Sequence, residues 1–173
     1  SWLIMPNKQS GYTLASLAVA LFIISILYLN VNRDNQVRMN MVAYDTVVLS
    51  AEVLSKAVST YYFANCNLGT SMPSPTVSDL ISDGYLSSIE SVYNNLDLIF
   101  TPQIVDPGTA DSLIYLTTNA PNSSVAQQIV EQATNASRFG STVTFTYKPS
   151  TSNTYNQTRV SEMKRYFGES YCR

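Results

Sequence analysis

Histidine is absent from this chain and charge is scarce: 10 Lys and Arg against 12 Asp and Glu in 173 residues, for a net charge of -2. Without an imidazole there is no His general base, no His metal ligand and no Ser-His-Asp relay. So few cations, spread this thinly, do not assemble the basic surface that nucleic acid requires. Nucleic acid is therefore not an expected partner. A Ser-Lys or carboxylate enzyme stays open in principle, but Ser55 and Lys56 are neighbours in a helical pattern, where side chains at i and i+1 diverge, and they read as solvated. No enzymatic role, cofactor or metal is expected. Asp106 and Asp111 are candidate calcium ligands in a loop, but an EF-hand-like spacing is missing.

Cysteine is limited to Cys66 and Cys172. With no Cys-x-x-Cys and no histidine they make a poor metal site and an ordinary disulfide, with two buried thiols as the alternative. A loop of about 100 residues closed in this way stabilises by up to about 4.7 kcal/mol in the chain-entropy account.

Glycine and proline, the residues most costly inside a helix, are both missing from Tyr12 to Leu68. Charge is also missing between Lys8 and Arg33. The run from Tyr12 to Val31, at about 1.5 Å per residue, reaches roughly the 30 Å of a bilayer's hydrocarbon core. It is longer than the h-region of a cleavable secretory signal and ends in Tyr28-Leu-Asn-Val-Asn32, a poor cleavage site for a signal peptidase. Beyond Arg33 the series Val37, Met41, Tyr44, Val48, Ala51, Ser55, Val58 and Tyr62 steps by fours and threes, which keeps one face towards a packed layer. Leu54, Ala57 and Tyr61 widen that stripe; Asn40, Asp45, Glu52, Lys56 and Ser59 are left mostly to solvent. One helix of about 50 residues is expected, apolar all round in its first half, amphipathic in its second, with no breaker at the junction.

The helix is expected to end where Asn65 to Pro75 collects Gly and Pro. A short helix follows from Thr76 or Ser78 to Gly84. Strands are expected at Leu96 to Thr101 and Ser112 to Thr118, separated by the Asp106-Pro107-Gly108 turn signal. A helix capped by Ser123 or Ser124 is expected to run to about Ser137. Ser141 to Tyr147 is the clearest alternating strand, with Val143, Phe145 and Tyr147 on one side. Ser150 to Gln157 reads as a polar loop and Val160 to Phe167 as a last turn or two of helix. The fold class is α+β, a long helix against a small antiparallel sheet with short extra helices.

Lys8-Gln9-Ser10-Gly11-Tyr12-Thr13-Leu14, then Leu17 and the apolar run, resembles the processing site of type IV pilins and pseudopilins. Asp79-Leu-Ile-Ser-Asp-Gly-Tyr-Leu86 and a cysteine near Arg173 are further shared traits. The resemblance implies a leader over residues 1–11, a membrane and filament-core half-helix over 12–34, and a periplasmic or extracellular head over 35–173. It implies cleavage by a prepilin peptidase between Gly11 and Tyr12 and methylation of the new Tyr12 amine. The subunit would wait in the inner membrane, meet an assembly platform, and pass into a filament of pilin subunits or a periplasmic pseudopilus. About twenty apolar side chains are buried equally well by acyl chains or by neighbouring helices. The roles implied are adhesion, motility, DNA uptake, conjugation or secretion.

One position departs from the family. The usual Glu, which pairs with a neighbour's N-terminal amine, is Ser16 here, and a neutral hydroxyl replaces that bond only in part. The departure fits a minor or tip-proximal subunit, or a major subunit of a divergent system. A minor pseudopilin of a type II secretion system and a membrane-anchored periplasmic binding module are the alternatives. Three Asn-x-Ser/Thr sequons, at Asn122, Asn135 and Asn156, match what chance supplies in so Asn- and Ser/Thr-rich a chain, and the twelve tyrosines read as packing or interface residues.

Overall fold

The computed structural model describes residues 10–151 and 153–167. They divide into two compact units, the first ending at Met41 and the second beginning at Val42. Every residue from Ser10 to Ala64 is helical (α1), as the absence of Gly and Pro from Tyr12 onward allows, and the helix stops where the Asn- and Gly-containing segment begins. A 3-10 segment, Cys66–Ser71, follows, with Gly69 at φ +53.

The second unit is an α+β fold. Its sheet is antiparallel throughout, in the order β1-β2-β4-β3, from Thr101–Val105 (β1), Leu113–Asn119 (β2), Ala136–Phe139 (β3) and Thr142–Tyr147 (β4). Alternation places Pro102, Ile104, Ile114, Leu116, Val143 and Phe145 on one buried face. The α1 residues Val47, Ala51, Leu54, Val58 and Tyr62 belong to the same core. Phe100 meets Phe145 edge to face, with ring centres 5.9 Å apart. Burial of side chains this size is worth roughly 1.5–3 kcal/mol each, so the helix segment from Val47 onward is held by its place in this shared core.

Helix α2, Val77–Ser82, is fixed at both ends. Thr76 Oγ1 accepts from Asp79 N at 3.1 Å, while the Thr76 amide donates back to Asp79 Oδ2 at 2.8 Å, a reciprocal capping box. Gly84, at φ +78, takes the left-handed turn that ends it. Helix α3, Ser123–Gln132, is capped by Asn122, whose Oδ1 accepts from Val125 N at 2.9 Å; the cap sits one residue earlier than the serines expected for it.

Other elements depart from expectation for identifiable reasons. Leu96 to Phe100 is not a strand: the buried Asn94 carboxamide accepts from Leu96 N and Leu98 N and donates to Leu98 O, tying a loop in which Asp97 takes φ +52. The strand starts at Thr101 and runs through Pro102, which an edge strand tolerates because its missing N–H need not serve a second neighbour. Helix α3 stops at Gln132, and residues 136–139 turn into edge strand β3. Gly140 at φ +60 and Ser141 join it to β4 in a two-residue hairpin with the positive φ at the first position. The last helix, α4, is Thr154–Phe167, longer than expected. Asn153 starts it, its side-chain oxygen accepting from Asn156 N at 2.7 Å.

The helix stripe also differs. Val37 and Met41 are exposed, and Ser55 and Ser59, one of them assigned to solvent, are buried. Ser59 Oγ accepts from Ser150 N at 3.3 Å, Thr60 Oγ1 from Asn153 Nδ2 at 3.2 Å, and Ala64 O from Arg159 at 3.5 Å. Ser150, Asn153 and Arg159 are thus bonded to the last turns of α1.

Candidate functional site

The helix of the first unit carries Leu14, Leu17, Leu21, Phe22, Ile23, Ile24 and Leu27 as exposed side chains. An 18-residue stretch of α1 reaches a mean hydropathy of 2.4 with none of it buried in the protein. That is long and apolar enough to cross a membrane. Its polar groups are satisfied within the helix: Ser25 Oγ donates to Leu21 O at 2.8 Å. So does Ser16, whose Oγ donates to Thr13 O at 3.0 Å. Gly11 and Tyr12 lie in the first turns of α1; the leader residues 1–9, Lys8 among them, lie outside the described residues.

Cys66 is buried just past the end of α1 and is not a free thiol. Its expected partner, Cys172, lies outside the described residues. Asp106 takes φ +48 and uses its backbone oxygen for Thr109 Oγ1, while Asp111 N donates to Thr109 Oγ1. Among the described residues no group of three or more Cys, Asp or Glu side chains converges on a point. The chain's Ser-x-x-Lys spacing, Ser161 to Lys164, lies on exposed positions of α4, with Ser161 Oγ donating back to Thr158 O at 2.8 Å.

The sequons differ in access. Asn122 is exposed at the α3 cap, Asn135 is half-buried and donates to Thr146 O at 3.0 Å, and Asn156 is fully buried, donating to Ser150 O at 2.8 Å. Among the tyrosines, burial raises the pKa of Tyr147, Tyr61 and Tyr85 above the ordinary phenol value. Tyr61 and Tyr85 stack edge to face with ring centres 5.8 Å apart, which is packing chemistry.

Two features of the second unit had no local sequence signal. One is an apolar cavity of about 370 Å³ between α1, α2 and the loop before β1, lined by Leu54, Val77, Val92, Tyr93, Leu98 and Ile99, with Asp97 among its lining residues. The other is Phe139, 91% exposed at the end of edge strand β3.

No family model, curated protein or solved structure matches the chain.

Proposed function

We propose that this chain is a structural subunit, minor or major, of a type IV pilus or a related filament. The observation that carries the proposal is the co-occurrence of the Gly11-Tyr12-Thr13-Leu14 junction with a helix, Ser10–Ala64, that is apolar and exposed in its first half and packed on a small antiparallel sheet in its second. A helix of that kind serves two environments, acyl chains before assembly and neighbouring helices after it. On this reading a prepilin peptidase cuts between Gly11 and Tyr12, the Tyr12 amine is methylated, and the subunit leaves the inner membrane for an extracellular filament. Cys66 pairs with Cys172 and fastens the C-terminal segment to the end of α1. Ser16, with its hydroxyl turned onto its own helix, offers no carboxylate to a neighbour's amine.

Immunogold labelling of sheared filaments tests the proposal. Label along the shaft or at the tip is expected; a chain found only in the membrane fraction would sink it in favour of an anchored binding module. A companion measurement uses Gly11→Val in cells containing prepilin peptidase, where the uncleaved, heavier chain should accumulate in the membrane. A mass and location identical to those of the unsubstituted chain would remove the processing step. A minor pseudopilin of a secretion system is the second reading, supported by the replacement of the usual Glu at Ser16; label confined to the periplasm would favour it.

A further inference from the structure

Strand register sorts the sheet's side chains into two faces. Arg138 pairs with Val143 and so lies on the core side, whereas Phe139 pairs with Thr142 and Thr142 with Asn119, which sets all three on the opposite, outer face. The next row of that face runs Thr101, Thr117, Thr144 and Ser137, one hydroxyl from each of the four strands. A third row is Gln103, Tyr115 and Thr146, and Val105 with Leu113 ends the face. None of these side chains is buried.

The face carries no Asp, Glu, Lys or Arg. Its polar groups are hydroxyls and carboxamides, which donate and accept alike, and across the sheet they stand at the strand spacing of about 4.8 Å. Neighbours already touch: Thr142 Oγ1 donates to Asn119 Oδ1 at 2.9 Å, and the Thr117 and Thr144 hydroxyls are 3.5 Å apart. Two aromatic rings share the face, Tyr115 on a central strand and Phe139, 91% exposed, on an edge strand. Two strand spacings across the sheet and four residues along it separate them, about 17 Å in all.

Each of these properties narrows the occupant. A face without cations offers nothing to phosphate or sulfate groups, which excludes nucleic acid and anionic polymers. Rows of threonine lack the aromatic, Met and Arg content that concentrates at the centre of protein interfaces, so a protein partner gains little there. An open four-stranded surface does not enclose a small molecule. An uncharged, extended polymer rich in hydroxyl groups fits on every count: its hydroxyls exchange hydrogen bonds with the Thr rows, and the slightly positive C–H faces of its sugar rings lie on the negative faces of the aromatic rings. We propose that the outer face of the sheet binds a neutral polysaccharide, with Tyr115 and Phe139 as stacking platforms and the row of Thr101, Thr117, Thr144 and Ser137 as the hydrogen-bonding track between them. The inference concerns what the second unit touches and does not depend on the filament reading.

The test passes the full chain, in detergent, over insoluble cellulose and chitin as neutral polysaccharides, with heparin beads as the anionic comparison. Retention on at least one neutral polymer is expected, unchanged by added salt and displaced by the matching soluble oligosaccharide. Phe139→Ala removes an exposed ring that the core does not use, and should lower the bound fraction several-fold; Tyr115→Ala and Thr144→Val should act in the same direction, while Phe139→Trp should keep the binding. No retention, retention on heparin alone, retention that salt abolishes, or retention indifferent to both Phe139→Ala and Tyr115→Ala would each overturn the proposal. Sedimentation of the same samples covers the other occupant open to a sheet face. An oligomer that Thr144→Arg dissociates while retention on the polysaccharide persists would assign the face to a second copy and overturn the proposal as well.

Discussion

Tyr62 is the residue on which the tie between α1 and the β1–β2 connection turns. Its ring is fully buried in the core, while its hydroxyl accepts from Gly108 N at 3.2 Å and lies 2.9 Å from Ser112 Oγ. Ser112 in turn sits 2.7 Å from Asp106 O and 2.8 Å from Thr109 O, so one phenol holds the whole β1–β2 connection against α1. Gly108 is required there twice over: its φ is +75, and a Cβ would stand 2.8 Å from the Gly69 backbone. Tyr62→Phe keeps the packing and strips the buried partners of their hydroxyl, which costs about 1–3 kcal/mol. Chemical denaturation of the full chain in detergent should show a lower midpoint at unchanged slope; an unchanged midpoint would mean the turn stands without the phenol. The Asp106-Pro107-Gly108 turn and the place of Tyr62 on the helix stripe were both legible in the sequence. Their connection was not, because no local pattern records a contact between residues 46 apart.

At the scale of elements, legibility followed local chemistry. The end of α1, the short α2 with its Thr76 cap and Gly84 stop, and strand β4 each carry their signal within a few residues, and each stands where that signal placed it. Strand β3 and helix α4 do not. Ala136 to Phe139 is too polar and short to read as a strand, and becomes one because β4 offers it an edge. Thr154 to Gln157 is poor helix material on propensity alone, and it turns helical beneath the Asn153 cap while burying Asn156 against Ser150. Helix α2 also supports a prediction about acid. The Thr76 amide first, and then its hydroxyl, hold the Asp79 carboxyl below the usual carboxylate value. Because that group titrates lower in the folded chain, its stabilisation is complete above the ordinary carboxylate pKa and is lost as pH falls through the folded value. Amide-exchange protection across α2 should therefore drop on acidification in this window, and Asp79→Asn should flatten the dependence. Equal acid sensitivity in the variant would place the cause elsewhere.

Across the whole molecule, chain order and spatial order diverge. The sequons show it: adjacent in type, they are sorted by folding into an exposed Asn122, a half-buried Asn135 and a wholly buried Asn156. An N-glycan transferase acting on the folded full chain should modify Asn122 and leave Asn156 untouched, whereas the denatured chain should accept at both; peptide mass mapping distinguishes them, and modification of Asn156 in the folded chain would contradict its burial. Phe139 and the hollow before β1 were likewise invisible in sequence, since both are defined by what the fold leaves uncovered. The α1 segment that enters the core packs with the sheet and also bonds to Ser150, Asn153 and Arg159. The bonds that complete it, Ser59 to Ser150, Thr60 to Asn153 and Ala64 to Arg159, join residues 91, 93 and 95 positions apart. Each doubling of such a loop costs only about 0.6 kcal/mol of closure entropy, so equilibrium stability suffers little. The timetable suffers more, because contacts this distant slow folding. During synthesis the helix emerges early and stays half-clothed until the residues near 159 have followed. A unit that closes so late leaves the inner face of α1 unclothed through most of the chain's own synthesis.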